Sequence, residues 1–118
     1  MAGVYGEIDS RAGFDRVLKE ARAITRRMLK ARPDNEVIEV IDTQLDAMER
    51  WTSGGRTPTQ AERDTISIGL IAARELADVR NAEVEALLPK LYALNNYFED
   101  WPSDDEAKKA TDEDFFDG

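Results

Sequence analysis

Histidine and cysteine are both missing from the 118 residues of this chain. Histidine is the usual general base near neutral pH, and cysteine supplies the common nucleophile and soft-metal ligand. Their absence closes most of the common catalytic mechanisms and excludes a disulfide framework or a thiolate zinc site. We therefore expect no metal and no cofactor, and we interpret the chain as a non-enzymatic protein that acts by binding.

Long hydrophobic runs are absent as well. The N-terminal MAGVYGEIDS has no basic stretch followed by an apolar one, so the sequence does not predict a signal peptide. No uncharged run approaches the ~20 residues that a membrane-spanning helix needs. These features predict a cytoplasmic protein that does not contact a membrane.

Negative charge predominates, and it is unevenly placed. The net charge is −9, with 25 acidic and 16 basic residues. Residues 99–118 carry −7 of this, which leaves −2 for residues 1–98. Nucleic-acid binding is disfavoured, because neutralising phosphates requires a surplus of lysine and arginine.

The apolar spacing predicts an all-α fold, an antiparallel bundle of about four helices at residues 1–98 with an acidic, aromatic-containing tail at 99–118. A first helix is expected from Asp9 or Ser10 to Ala31, and a second from about Asn35 to Trp51. The short RPDN link between them predicts an antiparallel hairpin.

The second half of the chain predicts two more helices. Thr57 is the expected cap of the third, with Pro58 at its first position and Gln60 closing a capping box. This helix should reach Ala77 and be buried nearly all round from Thr65 to Ala73, since that run carries no charge.

Two residues set the packing expectations for these helices. Gly69 predicts close approach of the third helix to a neighbour. The fourth helix should begin near Asn81, and Pro89 predicts a kink or a break at residues 85–88.

Charged residues form two rows on the first hairpin. Taking about 100° per residue, four carboxylates of the second helix fall within an arc of roughly 80°. We place this arc opposite the apolar stripe, where it is either a solvated face or an acidic ridge that docks on a basic cleft. The ridge residues are Glu39, Asp42, Asp46 and Glu49, and the outer face of the first helix carries Arg16, Lys19, Arg26 and Lys30.

Aromatic and acidic residues near the C-terminus are further candidates for partner binding, because tryptophan and tyrosine are common in binding hot spots. Phe98 and Trp101 are also candidates for closing the core. The partner-binding candidates outside the ridge are Trp51, Tyr97, Asp100, Trp101, Asp104, Asp105, Phe115 and Phe116.

An enzymatic alternative uses the same kind of residue. The pairs Glu36–Glu39 and Glu75–Asp78 each place two carboxylates one helical turn apart, as in the magnesium sites of all-helical nucleotide pyrophosphatases. Such an enzyme would need the two pairs to face each other across the bundle.

The segment ISIGLIAAREL at residues 66–76 resembles the central helix of small all-helical immunity proteins that protect bacteria from type VI secretion toxins. The best known of these toxins degrades NAD and NADP in the cytoplasm. The likeness covers roughly residues 16–98, and the acidic extension from Glu99 has no counterpart in it. Further positions that carry the resemblance are Arg27, Met28, Leu29, Pro33, Glu36, Gln44, Leu45 and Tyr92.

This resemblance implies an immunity protein, or antitoxin, that binds its cognate toxin domain one to one and covers the active site. It implies an NAD(P)-degrading toxin as the target and no catalytic role for the chain itself. The alternatives left open by the residues are a generic helical adaptor or regulatory protein and the magnesium-dependent pyrophosphatase.

Overall fold

The computed structural model describes residue 8 and residues 10–101, and these form an all-α bundle in which no strand occurs. The predicted fold class is confirmed. The bundle consists of four helical rods, and the third rod, residues 60–76, is interrupted between its first and second helices. The elements are α1 Arg11–Ala31, α2 Glu36–Thr52, a 3₁₀ turn Ser53–Gly55, α3 Gln60–Thr65, α4 Ile68–Ile71 with a π-helical turn Ala72–Leu76, and α5 Ala82–Asp100.

The first hairpin begins each helix with a polar cap. The Ser10 side chain accepts a hydrogen bond from the Gly13 N–H at 3.0 Å, and Asn35 Oδ1 accepts one from the Ile38 N–H at 3.2 Å. Such caps satisfy amides that have no partner inside the helix. Both helices therefore begin at the residues that the sequence predicted, within one position.

The core lies between α1, α2 and α5. Ile38, Ile41, Leu45 and Met48 of α2 are each 0% exposed. Burying one such side chain contributes roughly 1.5–3 kcal/mol, so the apolar stripe of α2 is a major contributor to the stability of the bundle. Thr25 is the one buried polar residue among those described, and it bonds to Asp42 of α2.

Helix α5 packs antiparallel to α1 and is continuous across Pro89. Of the kink or break predicted at residues 85–88, the break does not occur. Asn81 caps α5 through the N–H groups of Glu83 and Val84, as its position in the sequence indicated. The helix continues through Asp100 and Trp101 joins the core, so the bundle includes residues beyond 98.

Aromatic rings close one end of the bundle. Phe14 of α1 stacks on Tyr97 with ring centroids 5.5 Å apart, and Phe98 stacks on Trp51 at 6.4 Å. Phe98 is 0% exposed, which confirms its predicted place in the core. Trp101 ends α5 with a φ of 25°, and its N–H bonds to the Tyr97 carbonyl. This end therefore joins α1, α2 and α5 through side chains alone.

The third rod departs from the prediction of one helix. The chain leaves helical geometry at Ile66, where φ is −80° and ψ is 128°, and re-enters it after Ser67. The predicted burial is also wrong, because Leu70 is 59% exposed and Thr65 and Ala73 are exposed. Only Ile66, Ile68, Ala72 and Leu76 of this rod are buried against the rest of the bundle.

Side chains from other helices stabilise the interruption. Gln44 of α2 accepts a hydrogen bond from the Ser67 N–H at 2.8 Å and donates one to Ser67 Oγ at 3.1 Å. Asn95 of α5 accepts one from the Gly69 N–H at 3.0 Å. A Cβ at Gly69 would lie 3.1 Å from the Asn95 amide carbon, which confirms the predicted close approach at this glycine.

The cap of α3 lies two residues after the predicted one. Thr59, and not Thr57, is the N-cap, and it forms a capping box with Glu62. The exposed Arg56 guanidinium donates two hydrogen bonds to the Glu62 carboxylate, at 2.9 and 3.0 Å. Pro58 thus precedes the cap and does not occupy the first helical position.

Candidate partner-binding surfaces

The acidic ridge, Glu39, Asp42, Asp46 and Glu49, lies on the flank of α2 that faces α1. At about 100° per residue the ridge is centred only roughly 100° from the buried stripe of α2. Asp42, Asp46 and Glu49 are consequently half-buried. The predicted position opposite the apolar stripe is wrong, because three of the four carboxylates pack against side chains of α1 beside that stripe.

Helix α1 supplies partners for three ridge carboxylates. Arg22 donates to Glu49 Oε1 and lies 3.2 Å from Asp46 Oδ1, while its side chain is only 11% exposed. Thr25 Oγ1 donates to Asp42 Oδ1 at 2.6 Å. The sequence did not predict Arg22 as the counterion, because Arg22 is not one of the outward-facing cations of α1. Its spacing of three residues from Thr25 nevertheless places both side chains on one flank of the helix.

The electrostatics of the ridge follow from these bonds. A hydrogen bond from Arg50, together with the charge of Arg22, lowers the pKa of Asp46 below its ordinary value. Glu39 is exposed, and its carboxylate has no ion pair within the described part of the chain. The ridge therefore offers a partner much less free negative charge than its four carboxylates indicate.

The opposite face of α1 is basic. Arg16, Lys19, Arg26 and Lys30, which we call the basic stripe, are all exposed, as the sequence predicted. Lys19 forms an i, i+4 ion pair with Asp15 at 3.1 Å. The first hairpin thus presents cations on one helix and already paired carboxylates on the other.

The aromatic candidates lie mostly in the core. Tyr97 and Trp101 are each 8% exposed, and Trp51 is half-buried with its ring stacked on Phe98. Their rings hold the end of the bundle together, so a partner can reach only their edges. Their contact with a partner remains a prediction.

A cleft of about 500 Å³ opens beside this aromatic end. The Arg11 guanidinium lies 4.1 Å above the Trp101 ring, a cation–π contact. The tight turn at Gly54 and Gly55, with φ of 67° and 83°, forms one wall. The sequence marked this turn as a break but gave no signal that it lines a cleft. The lining residues are Arg11, Ala12, Phe14, Asp15, Lys19, Glu49, Thr52, Ser53, Gly54, Gly55, Arg56 and Trp101.

The charges around this cleft are largely paired with each other. Hydrogen bonding to Glu62 raises the pKa of Arg56, and the same contact lowers the pKa of Glu62. Lys19 and Glu49 are bonded to Asp15 and Arg22. The cleft is therefore not a strongly charged pocket, in spite of its three cations.

The remaining acidic and aromatic candidates belong to the end of the chain. Asp100 is exposed at the C-terminus of α5. The backbone carbonyls of Glu99 and Asp100 each accept a weak hydrogen bond from Arg63 at 3.4 Å. Asp104, Asp105, Phe115 and Phe116 lie outside the described residues.

Carboxylates do not gather into a metal site in the described part of the molecule. Within residues 8 and 10–101, no group of three or more acidic side chains is placed to hold a metal ion. Glu36, Glu39, Glu75 and Asp78, on which the pyrophosphatase alternative depends, therefore form no such group there. No helix among the described residues is long and apolar enough to cross a membrane.

Comparison with known proteins gives one match, to a protein family. The sequence profile of the Tsi6 family matches residues 11–116. The match reaches well into the acidic extension, so the expectation that residues beyond Glu99 have no family counterpart is wrong. Comparison with curated proteins and with solved structures gave no match. Since the profile covers nearly the whole chain, this protein belongs to the Tsi6 family of type VI secretion immunity proteins.

Proposed function

We propose that this chain is a cytoplasmic immunity protein that binds one cognate toxin domain and covers its active site. The observation that carries the proposal is the family match over residues 11–116. The absence of histidine and cysteine from the sequence agrees with a role in binding. In this role the chain needs no catalytic residue of its own.

Inhibition of a lethal enzyme at low concentration sets the required strength of binding. Nanomolar affinity corresponds to about −12 kcal/mol. A standard interface of ~1,600 Å² reaches this when a few well-packed side chains anchor it. The closely packed aromatic end of the bundle supports the proposal, because side chains that are already fixed by packing lose little conformational entropy on binding.

The target that we propose is a toxin that degrades NAD or NADP. Its active site would bind the phosphates of a dinucleotide, and a carboxylate-rich segment is complementary to such a site. The acidic segment from Glu99 onward, which carries −7, fits this description better than the ridge, whose acids are mostly paired with α1.

The first experiment is co-expression of the chain with the product of the adjacent open reading frame. We expect a stable one-to-one complex by light scattering, and NAD loss by the free partner that the chain suppresses. A complex with a partner that leaves NAD intact would contradict the choice of target and keep the immunity role. No complex would contradict the immunity role itself.

A truncation after Trp101 tests the acidic segment while retaining the core, because Trp101 is the last described residue and belongs to the core cluster. We expect weaker inhibition. Two full-length variants separate charge from aromatic contact: Asp104→Asn with Asp105→Asn, and Phe115→Ala with Phe116→Ala. Full inhibition by the truncated chain would contradict a role for the segment.

A further inference from the structure

Helix α1 concentrates positive charge on the side that faces away from the core. At about 100° and 1.5 Å per residue, the basic stripe spans an arc of roughly 80° and a length of about 21 Å. The centre of this arc lies nearly opposite the buried residues of the same helix, such as Phe14, Ala21 and Met28. The four cations therefore project together from one exposed face.

The acids of α1 neutralise only one cation of the stripe, Lys19. Asp15 and Glu20 are the only carboxylates of this helix. Asp15 is paired with Lys19 at 3.1 Å, and Glu20 with Lys90 of α5 at the same distance. Arg16, Arg26 and Lys30 make no ion pair in the described part of the chain, and of these three only Arg26 is close enough to the ridge to help lower the pKa of Asp46.

A shallow depression of about 180 Å³ lies in the middle of the stripe. Its lining is Lys19, Arg22, Ala23, Arg26 and Glu49. The one carboxylate there, Glu49, already accepts a hydrogen bond from Arg22. Lys19 already pairs with Asp15, and Arg22 pairs with Asp46 as well. Arg26 is therefore the lining cation without an ion pair among the described residues, and the small side chain of Ala23 leaves space beside it for a carboxylate from outside.

We infer that the basic stripe is the docking face for an acidic surface of the toxin domain, and that one carboxylate side chain of the toxin seats in the depression over Ala23. This inference rests on the proposed function and names the surface that performs it. Charge complementarity of this kind mainly accelerates and orients association. The first hairpin thus contacts its partner through α1 and uses the acidic ridge internally.

Other occupants fit the observations less well. A nucleic acid requires a surplus of cations along its phosphate backbone, and residues 1–98 carry −2 even with the stripe included. The net charge of −9 repels an acidic partner at the stripe only weakly, because −7 of this charge lies in residues 99–118. Salt also screens exposed charges beyond a Debye length of about 8 Å. At contact distance the cations of the stripe therefore attract acidic groups of a partner and repel basic ones.

The test compares charge reversal on the stripe with an equal reversal elsewhere. The stripe variant is Arg16→Glu, Arg26→Glu and Lys30→Glu, and the control is Arg32→Glu, Arg74→Glu and Arg80→Glu, all exposed positions. Association with the toxin domain is measured by stopped flow at low and high salt. We expect on the order of tenfold slower association for the stripe variant at low salt, and a much smaller change for the control.

The depression has its own pair of variants. Ala23→Glu places a carboxylate beside Lys19 and Arg26, which should neutralise them and weaken binding. Ala23→Gln has the same size without the charge and should bind more tightly than Ala23→Glu. Both residues favour an exposed helix position, and circular dichroism melting verifies the fold.

Each other outcome contradicts a distinct statement. Equal effects of the stripe and control variants, or faster association after charge reversal, would overturn the inference. The proposed function would stand in that case, because the wild-type complex still forms. A change only in the self-association of the free chain would overturn it in favour of a second copy as occupant. Failure of the wild-type chain to bind the toxin would overturn the proposed function, and the inference with it.

Discussion

The first hairpin and the third rod solve the same problem, how to begin and hold a helix, in different ways. In α1 and α2 each cap belongs to the helix that it starts, as Ser10 and Asn35 show. At the start of α4 in the third rod, the Ser67 side chain accepts no hydrogen bond from an N–H of its own helix, and Gln44 and Asn95 from other helices bond to the backbone instead. The hairpin is therefore specified locally, whereas the third rod depends on the assembled bundle.

This difference has a consequence for stability. The hairpin buries a continuous stripe of large side chains, while the third rod buries a few residues and exposes Leu70. Local opening requires less free energy where few apolar contacts are lost. The third rod is thus the region where hydrogen exchange should be fastest among the helical segments described.

The same leucine-to-alanine change in the two regions gives the largest contrast. Leu45→Ala removes a side chain that is 0% exposed and should destabilise the protein by about 2–5 kcal/mol. Leu70→Ala removes one that is 59% exposed and should change stability by about 0.5 kcal/mol or less. Urea unfolding of both variants measures this, and similar losses would contradict the comparison.

The second-largest effect is expected from removing the side-chain amide of Gln44, which links α2 to the third rod. Gln44→Ala leaves the Ser67 N–H without its partner and should cost about 1–3 kcal/mol. Hydrogen exchange should accelerate mainly at residues 66–76. Thr43→Ala, at the exposed neighbouring position, is the control, because its hydroxyl bonds only to the Glu39 carbonyl of its own helix. Uniform acceleration over all helices would argue against a local role for Gln44.

Alanine variants at Thr57 and Thr59 distinguish the predicted cap of α3 from the observed one. Thr59→Ala removes the capping box with Glu62 and should cost about 1 kcal/mol. Thr57→Ala should leave stability nearly unchanged, since Thr57 is not the cap. Thermal melting of the two variants decides this, and a larger effect at Thr57 would restore the original prediction.

Acid titration gives the smallest effect. Arg56 lowers the pKa of Glu62 below its ordinary value of 4.5. The folded protein therefore binds this proton less readily than the unfolded chain, so the contribution to stability is present above that value and is lost as the pH falls through the lowered pKa. Unfolding from about pH 6 to pH 2 should show a shallower acid loss for Glu62→Gln than for wild type. Parallel curves would show that the Arg56 contact does not stabilise the fold.

Sequence reasoning recovered what local patterns determine. The ends of α1 and α2 and the start of α5 follow from caps and apolar spacing, and the close approach at Gly69 follows from its missing side chain. The interruption at Ser67 was not predictable in this way, because Gln44 lies 23 residues from Ser67 and Asn95 lies 26 residues from Gly69 in the sequence.

The candidate site was recovered less completely, for two physical reasons. Thr57 with Gln60 and Thr59 with Glu62 both fit a capping box, and the contact of Arg56 with Glu62 accompanies the second. The ridge was read as free charge because its counterion, Arg22, lies on another helix. Side-chain pairing with residues outside the helix decides both, and the pattern within a single helix does not reveal it.

The aromatic end of the bundle also makes the protein its own optical probe. Trp51 and Trp101 are the only tryptophans in the sequence, and both rings lie against Phe98, at 6.4 and 5.8 Å between centroids. Their fluorescence reports on the junction of α1, α2 and α5 without any label. A toxin that enters the cleft beside Trp101 would change this emission, whereas one that binds near the Lys30 end of α1 would leave it largely unchanged.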